Sequence, residues 1–370
     1  MPHREAFLKP LLLKRLDLVI LFVTSVCNAR CRTCFYWLEL NKKGNMTFDE
    51  IRKLSETMPE FHDLWISGGE PFLRKELAAI IELFHKNNHI KDVRTPTNGL
   101  PTSATITTVQ KILTSCPGIQ LEVDISIDGF KETHDKIRNV PGNFDKALTT
   151  LTELTKLKEH FSNLTIFINS VITEENENQI IDLGHYFEKT TELNGHYFQV
   201  IRGDPMDHTL KNVSPERLEQ IYSQVIPINE KYVANSNRDN RVRGWIQRAY
   251  WKAGYIFSYE TQYRNYVNKT HWKMACTAGQ TSIVIDYNSD VRVCELRKPI
   301  GNLRSYDMDF QKFWNSFGRK KEVRSVKLDK CFCTHICFMY DSMRHSKRAM
   351  LWELPMISVK TFFADRLKKR

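Results

Sequence analysis

Leu18-Val19-Ile20-Leu21-Phe22-Val23-Thr24-Ser25-Val26-Cys27-Asn28-Ala29-Arg30-Cys31-Arg32-Thr33-Cys34 runs from an unbroken apolar stretch into three closely spaced thiols. An apolar run without polar alternation predicts a strand buried on both faces, as in a parallel sheet. The cysteine loop then lies at the C-terminal end of the first strand, where active sites gather in parallel α/β folds. Three thiols this close can wrap one metal centre. A mononuclear zinc site wants four protein ligands, usually as two CxxC-like pairs. The spacing points instead to a [4Fe–4S] cluster on three thiolates, with one iron left open for chemistry.

Outward from this stretch, strand and helix signals alternate. Thr47 followed by Glu50 marks a helix start. A second strand, Asp63–Ser67, ends in Gly68-Gly69-Glu70-Pro71, and Leu77, Ile80, Ile81, Leu83 and Phe84 recur at helical spacing after it. A third strand near Asp92–Arg94 ends in Thr95-Pro96-Thr97-Asn98-Gly99. Helix Thr105–Thr114 leads to a fourth strand, Gln120–Ile127, then a loop and an amphipathic helix, Phe144–Phe161. Strand Leu164–Thr173, helix Gln179–Lys189 and strand His196–Ile201 complete six units within residues 17–205. Such alternation predicts a parallel α/β sheet closed or nearly closed into a barrel. A full eight-fold barrel takes about 250 residues, so six units make a partial one.

Residues 215–263 read as a polar helical connector, with Gly254 as a break. Ser282–Cys294 reads as a hairpin turning at Asn288–Asp290. A short helix, Asp307–Phe317, leads to Cys331-Phe332-Cys333-Thr334-His335-Ile336-Cys337. Met356–Leu367 carries apolar residues at 356, 357, 359, 362, 363 and 367, ahead of the basic end Arg366-Leu367-Lys368-Lys369-Arg370. It reads as a helix packing back on the barrel, with contact to a membrane surface as the alternative.

The 370 residues carry a net charge of +11, with 41% apolar and 11% aromatic residues, enough for a real core. The positive excess reads first as a solvated basic surface, with an anionic substrate or an anionic membrane surface as sharper readings; nucleic acid has little support, because no zinc-finger, homeodomain or aromatic RNA-binding signature is present. Eight of the nine cysteines fall in two clusters and only Cys116 stands apart. Clustered cysteines without an export signal predict metal ligands in a reducing, cytoplasmic setting. The N-terminal apolar residues are interrupted by Lys14, Arg15 and Asp17, and no run approaches the roughly 20 residues that span a bilayer.

Taken together these residues resemble the radical SAM superfamily. Cys27, Cys31 and Cys34 match its CxxxCxxC signature, Gly68-Gly69-Glu70 its GGE motif, and Thr97-Asn98-Gly99 and Ser126-Ile127-Asp128-Gly129 with Arg138 follow in the expected order. The resemblance implies a [4Fe–4S] cluster whose open iron is chelated by S-adenosylmethionine, and one-electron cleavage to a 5′-deoxyadenosyl radical. It implies that Gly68 and Gly69 let backbone approach the cofactor, that Glu70 accepts from its ammonium, and that Ser126 and Arg138 bind its carboxylate. Asn98 and Asn169 would contact ribose or methionine, and the backbone of Val200–Arg202 would pass the adenine. The family's usual aromatic residue before the third cysteine is here Thr33, with Phe35, Tyr36 and Trp37 following.

The C-terminal cysteines resemble the SPASM and twitch modules, with five thiols where a SPASM module has seven. That implies one auxiliary [4Fe–4S] cluster on Cys276, Cys294 and Cys337, with Cys333 or Cys331 as the fourth ligand and His335 as a substitute; a stapling zinc site is the alternative. The expected fold is a partial (β/α)6 barrel followed by a small cysteine-rich α+β domain. The boundaries read as an extension (1–16), the barrel (17–210), a helical connector (211–270), the auxiliary domain (271–345) and a tail (346–370). The implied activity is hydrogen abstraction from an unactivated C–H of a small-molecule or peptide substrate, ending in oxidation, with an electron donor such as flavodoxin or ferredoxin. Epimerisation is the alternative; it needs a hydrogen donor, for which Cys116 and the spare C-terminal thiol are available. With 26 residues before Cys27 there is no leader-recognition domain ahead of the barrel, so a peptide would need a separate partner or direct docking. A non-catalytic iron–sulfur carrier is the rival class, and it has no use for Glu70, Ser126 or Arg138.

Overall fold

The structure is a computed structural model that describes the backbone of residues 15–189, 193–236, 242–329 and 331–368. Strand β1 (Leu18–Phe22) is buried at every position, as its unbroken apolar run requires. Helix α1 (Phe48–Thr57) starts at a capping box, with Thr47 accepting from the Glu50 N–H and Glu50 from the Thr47 N–H. The barrel continues through β2 (Asp63–Ser67), α2 (Leu77–Asn88), β3 (Asp92–Thr97), α3 (Thr102–Ser115) and β4 (Gln120–Ser126). Next comes α4 (Lys131–Arg138), where the sequence predicted a loop; its first residue follows Gly129-Phe130 and its end is turned by Asn139 in a left-handed conformation. Then follow α5 (Asn143–Lys158), β5 (Leu164–Ile172), α6 (Ile180–Glu188) and β6 (Gly195–Val200).

Strands β1 to β6 are all parallel and paired in sequence order, and β6 does not pair with β1, so the barrel is open. In place of β6, β1 takes β7 (Ser282–Ile285) as a parallel neighbour, with Leu18 opposite Ser282. Strands β8 (Asp290–Arg292) and β9 (Gly301–Asn302) extend the same sheet antiparallel. The hairpin expected from the sequence is therefore continuous with the barrel sheet.

Two long helices follow the barrel, α7 (Pro215–Ser236) and α8 (Val242–Asn268). Gly254, expected as a break, lies inside α8; a single glycine costs only about 1 kcal/mol in a helix whose neighbours are packed. The helix expected at Asp307–Phe317 is shorter, α9 (Phe310–Trp314), and is followed by α10 (Phe317–Leu328), whose N-cap Ser316 restarts the helix. Helix α11 (Ile336–Arg344) carries the last cysteine, and α12 (Leu354–Lys368) closes the fold. Helix α12 docks on α8, with Ser358 Oγ donating to the Ala249 carbonyl at 3.2 Å. The side chains at 362, 363 and 367 and the basic end lie outside the described residues. Among the described residues no helix is long and apolar enough to cross a membrane.

Candidate active site

The C-terminal ends of β1 to β6 frame one cleft of about 1070 Å³. Cys27, Cys31 and Cys34 form one wall, and Gly68, Gly69 and Glu70 line it from the end of β2. Asn98 enters after β3, Ser126 ends β4 opposite Asn169 of β5, and Arg138 comes from the end of α4. All ten residues that the radical SAM motifs imply for the first cluster and its cofactor therefore meet in one place. Phe35 and Tyr36 also line the cleft, so the aromatic surface missing at Thr33 is present from the following run.

The cysteine loop is pinned by its surroundings. Asn41 Oδ1 accepts from the Cys27 N–H at 3.0 Å, and Arg32 bridges Glu175 at 2.5 Å and Asp207 at 2.8 Å, tying the loop to those after β5 and β6. The glycines of the second motif serve the same packing. A Cβ on Gly68 would lie 2.4 Å from the Thr24 carbonyl oxygen, and one on Gly69 would lie 2.2 Å from that of Val26. They permit a close approach between the β2 turn and the chain leading to the cysteines.

Glu70 is buried, and its carboxylate accepts from the Asn98 N–H at 2.7 Å and the Phe72 N–H at 3.2 Å. Burial nonetheless pushes its carboxyl up to about 7. Arg138 stands 2.8 Å from Asp128 and donates to Cys31 Sγ at 3.8 Å, which puts a fixed cation beside the thiols. His134 and Asp135 hold the turn: His134 Nδ1 accepts from the Asp128 N–H, and Asp135 accepts from the N–H groups of Gly142 and Phe144. Burial pushes the Cys27 thiol up to about 11 and the Cys34 thiol up to about 12, with Cys31 adding to both. Such thiols stay protonated until a metal displaces the protons, which suits a cluster site and not a free nucleophile.

Residues 21–187 match the model of the radical SAM superfamily. These residues form a radical SAM domain. The protein is thus an enzyme of that chemistry, which takes a [4Fe–4S] cluster and S-adenosylmethionine. A relative described as "Probable GTP 3′,8-cyclase" from Methanococcus maripaludis (strain C5) is 28% identical over 286 residues, 75% of this chain and 84% of its own. The GTP 3′,8-cyclase of Lactiplantibacillus plantarum is 29% identical over 211 residues, 54% of this chain and 58% of its own. Among solved structures, native anSMEcpe with bound AdoMet superposes with a TM-score of 0.60 at 16% identity, covering 92% of this chain and all 100% of its own. Streptococcus suis SuiB gives 0.56 at 14% identity, covering 84% of this chain and 68% of its own. The two structures share the fold of this chain over 92% and 84% of its length.

A second cavity, the barrel lumen, shares Gln199 with the radical SAM cleft. Alternate residues of a strand face one side. Trp65 lies below Ser67, Arg94 below Pro96, Glu122 below Ser126, Thr165 below Asn169 and Tyr197 below Gln199. Arg94 reaches Asp124 at 2.6 Å and Glu122 at 2.7 Å, and its guanidinium lies over the rings of Tyr197 and Trp65 at 4.3 and 5.1 Å. Helices α8 and α11 line the lumen from the other side with Tyr255, Tyr340 and Cys337.

The auxiliary thiols lie next to the lumen. Cys276, Cys294 and Cys333 are half-buried and act on one another electrostatically. Cys331 is exposed and accepts from Arg297 at 3.6 Å. Cys337 lines the lumen, and the groups acting most strongly on it are Arg202 and Glu295. His335 is buried and its Nε2 bonds Glu295, so the nitrogen facing that way is already engaged. A polar chain joins the two regions: Asn169 accepts from Gln199 at 2.9 Å, Gln199 from Arg202 at 2.7 Å, and Arg202 stands 3.8 Å from Glu295. Gln199 and the lumen charges were not singled out as site residues by sequence reading, and Arg202 entered only through its backbone. The available signal was charge at alternate positions inside strands otherwise built to be buried, as in Asp92 and Arg94, and in Glu122 and Asp124.

Proposed function

We propose that this enzyme abstracts a hydrogen atom from a C–H bond of a substrate held in the barrel lumen and carries the product to an oxidised state. The cluster and S-adenosylmethionine would supply the 5′-deoxyadenosyl radical. In this reading Cys27, Cys31 and Cys34 hold the first cluster. Glu70 accepts from the methionine ammonium, Ser126 and Arg138 hold its carboxylate, and Asn98 and Asn169 contact ribose or methionine. Phe35 and the backbone of Val200–Arg202 flank the adenine. The observation that carries the reading is the meeting of residues from four separate motifs in one cleft, which shares Gln199 with the lumen.

Cys276, Cys294, Cys333 and Cys337 would hold the auxiliary cluster, with the exposed Cys331 left over. Through Cys337 that cluster would border the lumen, close enough to take an electron from a substrate radical. The single-electron supply comes from a flavodoxin- or ferredoxin-type donor. Epimerisation finds less support: Cys116 is fully buried in the hydrophobic core and Cys331 is exposed, and neither lines the cleft or the lumen.

The test is anaerobic reconstitution with iron and sulfide, followed by S-adenosylmethionine and dithionite. Formation of 5′-deoxyadenosine is expected, and its absence with an intact cluster would falsify the reading. Two cubanes predict about eight irons per chain. Cys276→Ala should remove about half of them; loss of none contradicts the auxiliary site.

A further inference from the structure

The lumen has a charge balance opposite to that of the whole chain. Asp63, Asp92 and Glu122 line it against Arg94 alone. Arg94 is engaged by Asp124 and Glu122. Arg344, behind the wall, is engaged by Asp63 at 2.5 Å and Asp17 at 3.1 Å. Asp92 is the carboxylate left without a guanidinium. Its Oδ2 lies 3.3 Å from His62 Nδ1 but receives no hydrogen bond from the described residues. On the neighbouring strand β4, the buried Asp124 Oδ1 receives none either. Among the described residues five carboxylates thus meet two guanidinium groups, and His62 beside Asp92 and His345 beside Asp17, even when both are protonated, leave negative charge in excess. Burial, with Asp63 adding, pushes the Asp92 carboxyl up to about 7 against the opposing pull of His62 and Arg344.

The apolar part of the lining suits the same charge. Trp65 and Tyr197 already bracket one guanidinium, and Tyr255 and Tyr340 present further rings to the cavity. Ring faces and carboxylates together replace the hydration shell of an organic cation. A triphosphate needs several cations converging on it, and the single basic group in the lining is already paired.

We propose that the lumen takes the substrate as a small organic cation, an amine or guanidine seated against Asp92 and Glu122 with its carbon skeleton among the aromatic rings. This rests on the radical SAM reading above for the reaction, and runs against the anionic substrate considered from the net charge.

The experiment measures binding to the full-length, reconstituted protein by calorimetry without reductant. The probes are tyramine and agmatine as cations, tyrosol as the neutral counterpart of tyramine, and GTP as the anion. The cations should bind, tyrosol should bind roughly tenfold or more weakly, and GTP should compete with neither. Asp92→Asn should weaken cation binding by roughly ten- to hundredfold, and Asp92→Glu should restore most of it. Should Asp92→Asn not fold, the tyramine–tyrosol comparison on the unaltered protein decides alone. Equal binding of tyramine and tyrosol, or displacement of the amines by GTP, overturns the proposal. Because no turnover is involved, failure here leaves S-adenosylmethionine cleavage standing, and absence of 5′-deoxyadenosine leaves cation binding standing.

Discussion

The cleft and the lumen are two levels of one barrel, and each buries a carboxyl pushed up to about 7, Glu70 above and Asp92 below. They handle it differently. In the cleft, backbone does the work: the Asn98 and Phe72 N–H groups hold Glu70, and side-chain-free glycines let the β2 turn close on Thr24 and Val26. In the lumen, side chains do it: Arg94 is held by two carboxylates and two rings, while Asp92 is left short of a donor. A site made by backbone tolerates little change at its glycines. A site made by side chains can be rebuilt for another ligand without disturbing the level above. On the reading proposed above, the cofactor chemistry belongs to one level and the choice of substrate to the other.

The sharpest way to break this comparison is to remove the lumen's central cation. Arg94→Gln leaves Asp124 and Glu122 buried without their partner and should cost about 3–5 kcal/mol of stability, read by chemical denaturation. A negligible loss would mean that the lumen charges are well hydrated and not organised by Arg94. Gly69→Ala tests the cleft in the same way. Its Cβ would meet backbone at 2.2 Å, so a loss of about 2–4 kcal/mol and poor cluster incorporation are expected. Gly118→Ala is the control, since its Cβ would meet only the His85 ring, at 3.6 Å.

A smaller effect concerns pH. An unfolded aspartate titrates at about 4, whereas Asp92 in the folded chain titrates at about 7, raised by burial and by Asp63. Between these values the native state keeps a proton that the unfolded chain has lost, so stability falls as pH rises through the window. Asp92→Asn should flatten that fall in thermal melts between about pH 4 and pH 7, and Glu70 and Asp124 supply the slope that persists. A steeper slope in the variant contradicts the assignment. The smallest effect lies outside both levels. Thr47→Ala removes the capping box of α1 and should cost about 1 kcal/mol without changing S-adenosylmethionine binding.

The same contrast explains what could be read in advance. The strand preceding Cys27 was legible from its unbroken apolar run, and the turn Gly68-Gly69-Glu70 and the pair Ser126 and Arg138 through the motifs of the superfamily the chain resembles. The capping box at Thr47 and Glu50 was legible because it requires particular residues at fixed spacing. Helix α4 was missed because its eight residues are polar and carry little apolar periodicity, yet it delivers Arg138. The lumen was missed because facing strands, far apart in sequence, create it: Trp65, Arg94, Glu122 and Tyr197 come from four of them. Nor could the sequence reveal that β7 joins β1 and makes the C-terminal hairpin part of the barrel sheet. That pairing joins residues more than two hundred positions apart, and no local pattern records it.

The account depends most on the cleft acting as one site for a cluster with an open iron and for S-adenosylmethionine. Electron paramagnetic resonance of the dithionite-reduced, reconstituted protein tests this directly, using Cys276→Ala to remove the auxiliary signal. The account predicts that adding S-adenosylmethionine changes the remaining signal, and that the further substitution Cys34→Ala abolishes that signal. A cluster signal that is unaffected by S-adenosylmethionine, or that survives Cys34→Ala unchanged, contradicts it.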